Sequence, residues 1–579
     1  MAIEHNSSTD MKNTDVPIPS ESAMNEASVN PSGRNQPNVD IAVANMTAIS
    51  KPGTGQIIRA KDFIVHTPTG NRPMSVVLSN VIAGIEPDYS WYSLDPIGVS
   101  NLYADTFKNR LRYVIERRCY YAYDGIVWRA DNEAAERLCK EFSKAVIEHV
   151  DANSSILEEE KRKAIKKLVN TKARENILKD ARSMYPLHVS DFDKQTNLLN
   201  LQNGTLHLDT GLLRPHHPDD LITKVANVTY DPSAICDRWI QHINEVTEGD
   251  TQVAEYMQKA FGLALDGYNK YECLYIIYGP KTRNGKSTTM ETIIALLGDY
   301  ARSANPETIA QKRFHNGGGS ASEDIARLAG VLLVNFSEPD RKMTLSASVV
   351  KILTGNDTII ARFLYENAFE FRPRFLAFIN TNHLPNVTDR SLFDSDRVKV
   401  IPFNHYFTKR QRDPNLKKTL LQPQNLSGIL NWMLEGRRLA HTQGIADPPA
   451  VIKATAQYRH DSDKIVQFIN DSLISTPGVN AKTDDIYEAY KIWCTASGIH
   501  YESKSYFLRD LERHAKIGRS RSIGSVNLPN AISCVFDFSV PKNAPLTNTG
   551  FNSVAAPYDI SCVPTDSATD NDDGNDSGS

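Results

Sequence analysis

The stretch from residue 274 to 298 constrains this 579-residue chain more than any other. A short apolar run, Leu274-Tyr-Ile-Ile-Tyr278, stops at Gly279. A polar loop ends in Asn284-Gly285-Lys286-Ser287-Thr288. Met290, Ile293, Ile294 and Leu297 then recur at helical spacing, and Gly298 closes the pattern. Strand, glycine-bounded loop and helix are the context that a phosphate-binding P-loop requires. The backbone N–H groups of such a loop converge on phosphate oxygens at the positive end of a helix. In that arrangement Lys286 reaches the β and γ phosphates and the Ser287 hydroxyl holds Mg²⁺. Five residues, not the usual four, separate Gly279 from Gly285. The extra residue lies upstream of the cradle itself. The alternative is a chance Gly-Lys-Ser-Thr in a surface turn.

Composition narrows the rest. Net charge is −4, so any nucleic-acid surface must be local. The seven cysteines have no zinc-ribbon or CxxC spacing, which points to a reduced, intracellular protein. The N-terminus carries no apolar signal core, and no apolar run nears the roughly 20 residues that span a bilayer. Residues 1–55 are polar and poor in large apolar groups, and are expected to be disordered. The same holds for the acidic tail at 546–579.

Between these ends, residues 56–100 mix short apolar runs with turn residues and suggest no function. From 101 to 255 a mostly helical α+β domain is expected. It includes a hairpin turning at Asp124-Gly125, helices over 134–150 and 157–184, a hairpin tipped by Asn203-Gly204, and helical periodicity over 234–265. The charges of 157–184 read as a solvated helix face, with a DNA site as the alternative. Asp191-Phe-Asp193 reads as a turn or cap, with a metal-holding pair as the alternative.

Residues 256–410 form the expected α/β core. A buried run ends in Ser337-Glu338, which suits a strand aiming a carboxylate at Mg²⁺ and the attacking water. A second buried run ends in Asn380-Thr-Asn382; a carboxamide there can hydrogen-bond a γ-phosphate and the lytic water. Between them lie a helix carrying Lys351 and a hairpin carrying Arg362 and Tyr365. Arg397 begins a last strand, and an arginine suits charge developing on a γ-phosphate.

These motifs together resemble the superfamily 3 helicases, most closely the phage, plasmid and poxvirus primase–helicase group. They run in order: Gly279…Asn284-Gly-Lys-Ser, Ser337-Glu338, Lys351-Ile-Leu-Thr-Gly-Asn-Asp, Asn380-Thr-Asn382 and Asp396-Arg397. The resemblance extends to Tyr123-Asp-Gly-Ile-Val-Trp128 upstream and to Tyr487-Glu-Ala-Tyr-Lys-Ile-Trp-Cys494 downstream. It implies a modified AAA+ P-loop ATPase and a homo-hexameric ring. ATP and Mg²⁺ would be the cofactors, and single-stranded or forked DNA the substrate. Glu338 would act in hydrolysis, Asn382 would sense the γ-phosphate, and Arg397 would reach a neighbour's ATP. Lys351 would be a DNA contact, and the hairpin around Arg362 and Tyr365 would lie near the DNA channel, with cross-strand packing as the alternative for Tyr365. Primase activity within this chain is not expected, so a separate primase or other replication protein is the implied partner. The setting would be a phage or mobile element in bacterial cytoplasm.

After a helical linker at 411–454, residues 455–545 carry three helical patterns and two strands, which suit a winged-helix-like domain. Lys504, Arg509, Arg513, Lys516, Arg519 and Arg521 make it the most cationic local patch, read as facing DNA phosphates, with a solvated face as the alternative. A nicking initiator would need a His-x-His pair, and none is present. A loader or initiator ATPase that remodels DNA without processive unwinding is the competing reading.

Overall fold

The computed structural model describes residues 59–85, 91–311, 323–341, 343–497, 501–523 and 526–540. The terminal segments expected to be disordered lie outside these residues, as does Asn316-Gly-Gly-Gly-Ser320. The chain forms two compact units. One comprises residues up to 186 apart from 114–118 and 126–129; the other comprises those two short segments and residues 187 onward.

The first unit is built around helix Asn132–Ala152. Its buried side packs Phe142, Ala145 and Val146 against Met74, Val77, Leu102, Tyr103 and Phe107. The pattern over 157–184 reads as one helix, but the structure breaks it into Glu158–Val169 and Thr171–Ala181. Asn170 is the cause: its side chain accepts the Lys172 N–H and caps the second helix. Lys163 pairs with Glu159 one turn earlier on the solvated face, whereas Lys161 is buried and its ammonium reaches Glu158 and the Asp151 carbonyl.

The second unit holds a five-stranded parallel sheet. Its elements are β1 (Leu274–Tyr278), α1 (Lys286–Leu297), β2 (Ala301–Ala304), β3 (Leu333–Ser337), α2 (Ala347–Thr354), β4 (Ile359–Ala361), β5 (Phe369–Phe371), β6 (Leu376–Thr381) and β7 (Val398–Pro402). The sheet runs β2-β3-β6-β1-β7, and every pair is parallel. β4 and β5 stand apart as a two-stranded antiparallel hairpin. β6 is buried at every position because both faces of the sheet are covered. Tyr275, Ile277 and Phe378 point into one core, with α1 and helices Asp237–Val246, Thr251–Leu263 and Pro423–Gln443. Ile276, Phe336 and Ile379 point into the other, with α2.

The helical pattern over 234–265 is likewise split. Helix Asp237–Val246 stops at Thr247, and Asp250 caps Thr251–Leu263 through the Gln252 and Val253 N–H groups. Asp191 and Asp193 do cap and brace. Asp191 accepts the His188 N–H, while Asp193 accepts from the backbone and hydroxyl of Thr223 and from Lys224.

The C-terminal part runs helix Lys464–Ser472, strand Ile474–Lys482, helices Thr483–Ala496 and Lys504–Leu511, then strands Ile517–Ile523 and Val526–Ser539. The long last strand is central in a three-stranded antiparallel sheet. Strand Ile474–Lys482 was hidden by Pro477-Gly478, which reads as a breaker. The structure places that pair in a register shift between Ser475 and Asn480 on an edge strand, where a missing N–H is tolerated.

Candidate nucleotide site

The carboxyl ends of β1, β3 and β6 lie level, with Ile277 beside Asn380 and Ser337 beside the same Asn380. β1 sits where the chain's crossovers part, towards β2 on one side and β7 on the other. In open parallel sheets that crevice is where ligands bind.

The loop after β1 is folded by Asn284. Its buried carboxamide donates to the carbonyls of Lys281 (2.8 Å) and Phe403 (3.2 Å). Lys281, Thr282 and Arg283 bulge outward and are exposed, so the extra residue of the motif lies in this turn, outside the cradle. Gly279 is pressed against the same groups: a Cβ there would lie 2.3 Å from the Phe403 carbonyl oxygen. Gly285 has φ 86° and begins α1 as its N-cap. A Cβ at Gly285 would meet Val246 at 2.4 Å, so the position excludes any other residue on two counts.

Lys286 is 4% exposed. Its ammonium donates to the Gly279 carbonyl (3.2 Å), to Asn284 Oδ1 (3.0 Å) and to Asn382 Oδ1 (2.7 Å). Each of these acceptors is neutral. Burial lowers its pKa to about 8, against an opposing pull from the Glu338 carboxylate. Glu338 itself is exposed beyond the end of β3, with φ 47° and its N–H donated to the Asn380 carbonyl at 2.9 Å. Ser287 is exposed and Thr288 half-buried in the first turn of α1. Thus Gly279, Asn284, Gly285, Lys286, Ser287, Thr288, Glu338 and Asn382 share one end of the sheet.

These residues fit a magnesium–nucleotide. The helix N-terminus and a dehydrated, uncompensated cation suit a polyphosphate. Among the described residues no group of three or more His, Cys, Asp or Glu converges to hold a metal alone. A cation here would share Ser287 and Glu338 with phosphate oxygens, as Mg²⁺ commonly does.

Sequence reasoning missed what stands behind the loop. His242 is fully buried, with Nε2 2.9 Å from the Thr289 hydroxyl, and that hydroxyl donates to the Gly285 carbonyl at 3.1 Å. Burial brings the His242 pKa down to about 4, so the ring is neutral. Its spacing from the loop, 47 residues to Thr289, leaves no local signal.

Arg397 lies at the opposite end of the sheet, just before β7. One guanidinium nitrogen donates to the Thr354 hydroxyl (2.8 Å) and the other to a Glu272 carboxylate oxygen (2.6 Å). It opens on a cavity of about 280 Å³, lined also by Lys351, Asp357 and Arg372. Lys351 donates to the Ser391 hydroxyl at 2.6 Å. Arg362 is exposed on the hairpin, and Tyr365 at its turn is 98% exposed with φ 64°, so Tyr365 is not a packing residue within this chain. In the C-terminal part, Lys504 is paired with Asp484. Arg519 and Arg521 are exposed, and Arg519 donates to the Ala531 carbonyl at 2.9 Å.

Comparison with known proteins bears on both flanks of this core. Residues 100–248 match the family model described as D5 N terminal like, and residues 460–531 match the one described as Poxvirus D5 protein-like. Both matches lie outside the parallel-sheet core and together cover under half of the chain. Its viral relatives carry the name "putative helicase". One from Acanthamoeba polyphaga mimivirus is 28% identical over 61% of this chain and 38% of its own length. One from Frog virus 3 is 28% identical over 38% and 24%, and one from Invertebrate iridescent virus 3 is 24% identical over 57% and 38%. The chain therefore spans well under half the length of these relatives. The expected bacterial setting finds no support among them. A solved structure titled as the apo A form of the NrS-1 C terminal region covers 76% of this chain and all of that one, at 9% identity and a TM-score of 0.39. Likeness at that level does not define the fold. No helix among the described residues is long and apolar enough to cross a membrane.

Proposed function

We propose that this protein is an ATP-dependent DNA helicase of the superfamily 3 type, with an AAA+ core and a winged-helix-like C-terminal domain. It hydrolyses ATP in a homo-hexameric ring and translocates on single-stranded DNA to open a fork. The observation that carries this is Lys286, buried among neutral acceptors at the carboxyl end of a parallel sheet, with Asn382 in direct contact. The protein's dehydrated ammonium binds the β and γ phosphates. Glu338 polarises the attacking water. Asn382, released from Lys286 when phosphate arrives, orients that water. Bound Mg²⁺ supplies charge neutralisation at the phosphates.

Arg397 cannot serve its own subunit's site. It sits at the amino end of β7, about 15 Å of strand away from the loop that follows β1. That separation supports a role in a neighbouring copy, which makes the ring part of the active site. Arg362 and Tyr365 engage the single strand by phosphate attraction and base stacking, and Arg519 and Arg521 contact phosphates of the fork.

The test is strand displacement on forked DNA. The intact chain is expected to displace the strand with ATP and Mg²⁺, and Lys286→Ala to displace none. Hydrolysis without displacement by the intact chain would favour the remodelling or loading reading. Unwinding that survives Lys286→Ala would remove the nucleotide assignment.

A further inference from the structure

The β4–β5 hairpin has only three residues in each strand and, among the described residues, no third strand beside it. Two-stranded hairpins of this size are marginal in water on their own. This one also carries an unfavourable burden at its turn, where Leu364 is 55% and Tyr365 98% exposed and Tyr365 holds a left-handed backbone. Something outside the hairpin must hold it.

We infer that Arg117 is the positioning residue that fixes this hairpin for DNA. The inference rests on the reading of Arg362 and Tyr365 as DNA contacts given above. Phe363 and Phe369 stack across the hairpin with ring centres 5.8 Å apart and planes 13° from parallel. The Arg117 guanidinium lies 4.2 Å from the centre of Phe363 and 5.4 Å from that of Phe369. It also pairs with the carboxylate of Glu366, next to Tyr365 in the turn. The Arg117 side chain is 18% exposed, so these contacts are largely shielded from water, where a cation over an aromatic face is strongest. Its Nε is buried without a partner. The fold tolerates that cost to keep the guanidinium against the rings.

Arg117 is itself held firmly. The Arg118 N–H donates to the Ile115 carbonyl, and the Ile115 N–H to the Leu187 carbonyl. Glu116, the preceding residue, accepts the Val189 N–H at 3.1 Å and pairs with His188 at 2.7 Å. Val189 in turn packs on the small core of Ala326, Ala361 and Phe369 beneath the hairpin. The hairpin is therefore clamped from its underside by Arg117 and supported beside it by Val189. Arg117 touches none of the residues around Lys286. Its loss should free the hairpin without disturbing ATP binding, and so separate DNA response from basal hydrolysis.

The experiment measures ATPase activity of the full chain with and without oligo(dT). Arg117→Ala is expected to keep DNA-free hydrolysis within twofold and to lose at least tenfold of the DNA-stimulated increment, with a raised KM for DNA. Arg117→Lys, which keeps the charge but not the flat guanidinium, is expected to recover part of that increment; it also carries the test should Arg117→Ala fail to fold. Tyr365→Ala is the reference. If it abolishes DNA stimulation while both Arg117 variants respond normally, the inference is overturned and the hairpin reading stands. If Tyr365→Ala has no effect, the hairpin reading fails and takes the role of Arg117 with it. Equal losses in DNA-free and DNA-stimulated rates for the Arg117 variants would make Arg117 merely structural and also overturn the inference.

Discussion

The two ends of the parallel sheet treat their cations in opposite ways. At the carboxyl end, Lys286 is dehydrated and surrounded by a carbonyl and two carboxamides. At the amino end, Arg397 already lies against the Glu272 carboxylate and a threonine hydroxyl. A buried cation with neutral acceptors has its charge left for an anion that arrives from outside. A cation already paired must exchange partners to act. Under the proposed function the first end receives phosphate, and the second is drawn out when a neighbour presents one.

Lys286→Ala gives the largest expected effect, about a hundredfold loss of ATP affinity, because charge-assisted hydrogen bonds to phosphate have no substitute there. Titration with a fluorescent nucleotide measures it. An unchanged affinity would erase the difference between the two ends. Asn382→Ala comes next, with kcat expected to fall by about tenfold to a hundredfold while ATP affinity changes little. A steady-state rate with saturating ATP checks this.

The pH dependence should follow Lys286. Its pKa is lowered from 10.5 to about 8, so the free protein loses the cation as pH rises through that value. Nucleotide affinity should weaken about tenfold between pH 8 and pH 9.5. The stability sign is opposite. The fold disfavours the protonated amine, so this group costs stability below pH 8, and the cost disappears as pH approaches the unfolded value. Glu272→Gln gives the smallest effect. It removes a partly exposed ion pair, 17% and 44% exposed on its two sides, and should lower stability by about 1 kcal/mol in thermal unfolding.

The contrast between the ends was half legible in the chain. Gly279 to Thr288 could be found because strand, loop and helix follow one another within a few residues. Glu338 and Asn382 could be placed because each ends a buried run, and parallel strands bring such ends level. The partners were not legible. Glu272 is 125 residues from Arg397, and Arg117 is 249 residues from Glu366. No periodicity connects positions so far apart. Local punctuation also misled in both directions. Asn170 and Asp250 cap second helices inside stretches whose apolar spacing runs on, whereas Pro477-Gly478 interrupts the pattern of a strand that continues through a bulge. Capping and edge-strand tolerance are decided by neighbours in space, which a single sequence does not display.

The central claim is that the two ends of the sheet complete one another across subunits. Lys286→Ala and Arg397→Ala chains, each inactive alone, can be mixed and assayed for ATP hydrolysis. The account predicts that activity returns in the mixture, because a Lys286→Ala subunit still offers its Arg397 to the intact phosphate loop beside it. A mixture that stays as inactive as its components, in assemblies shown to contain both chains, would contradict it.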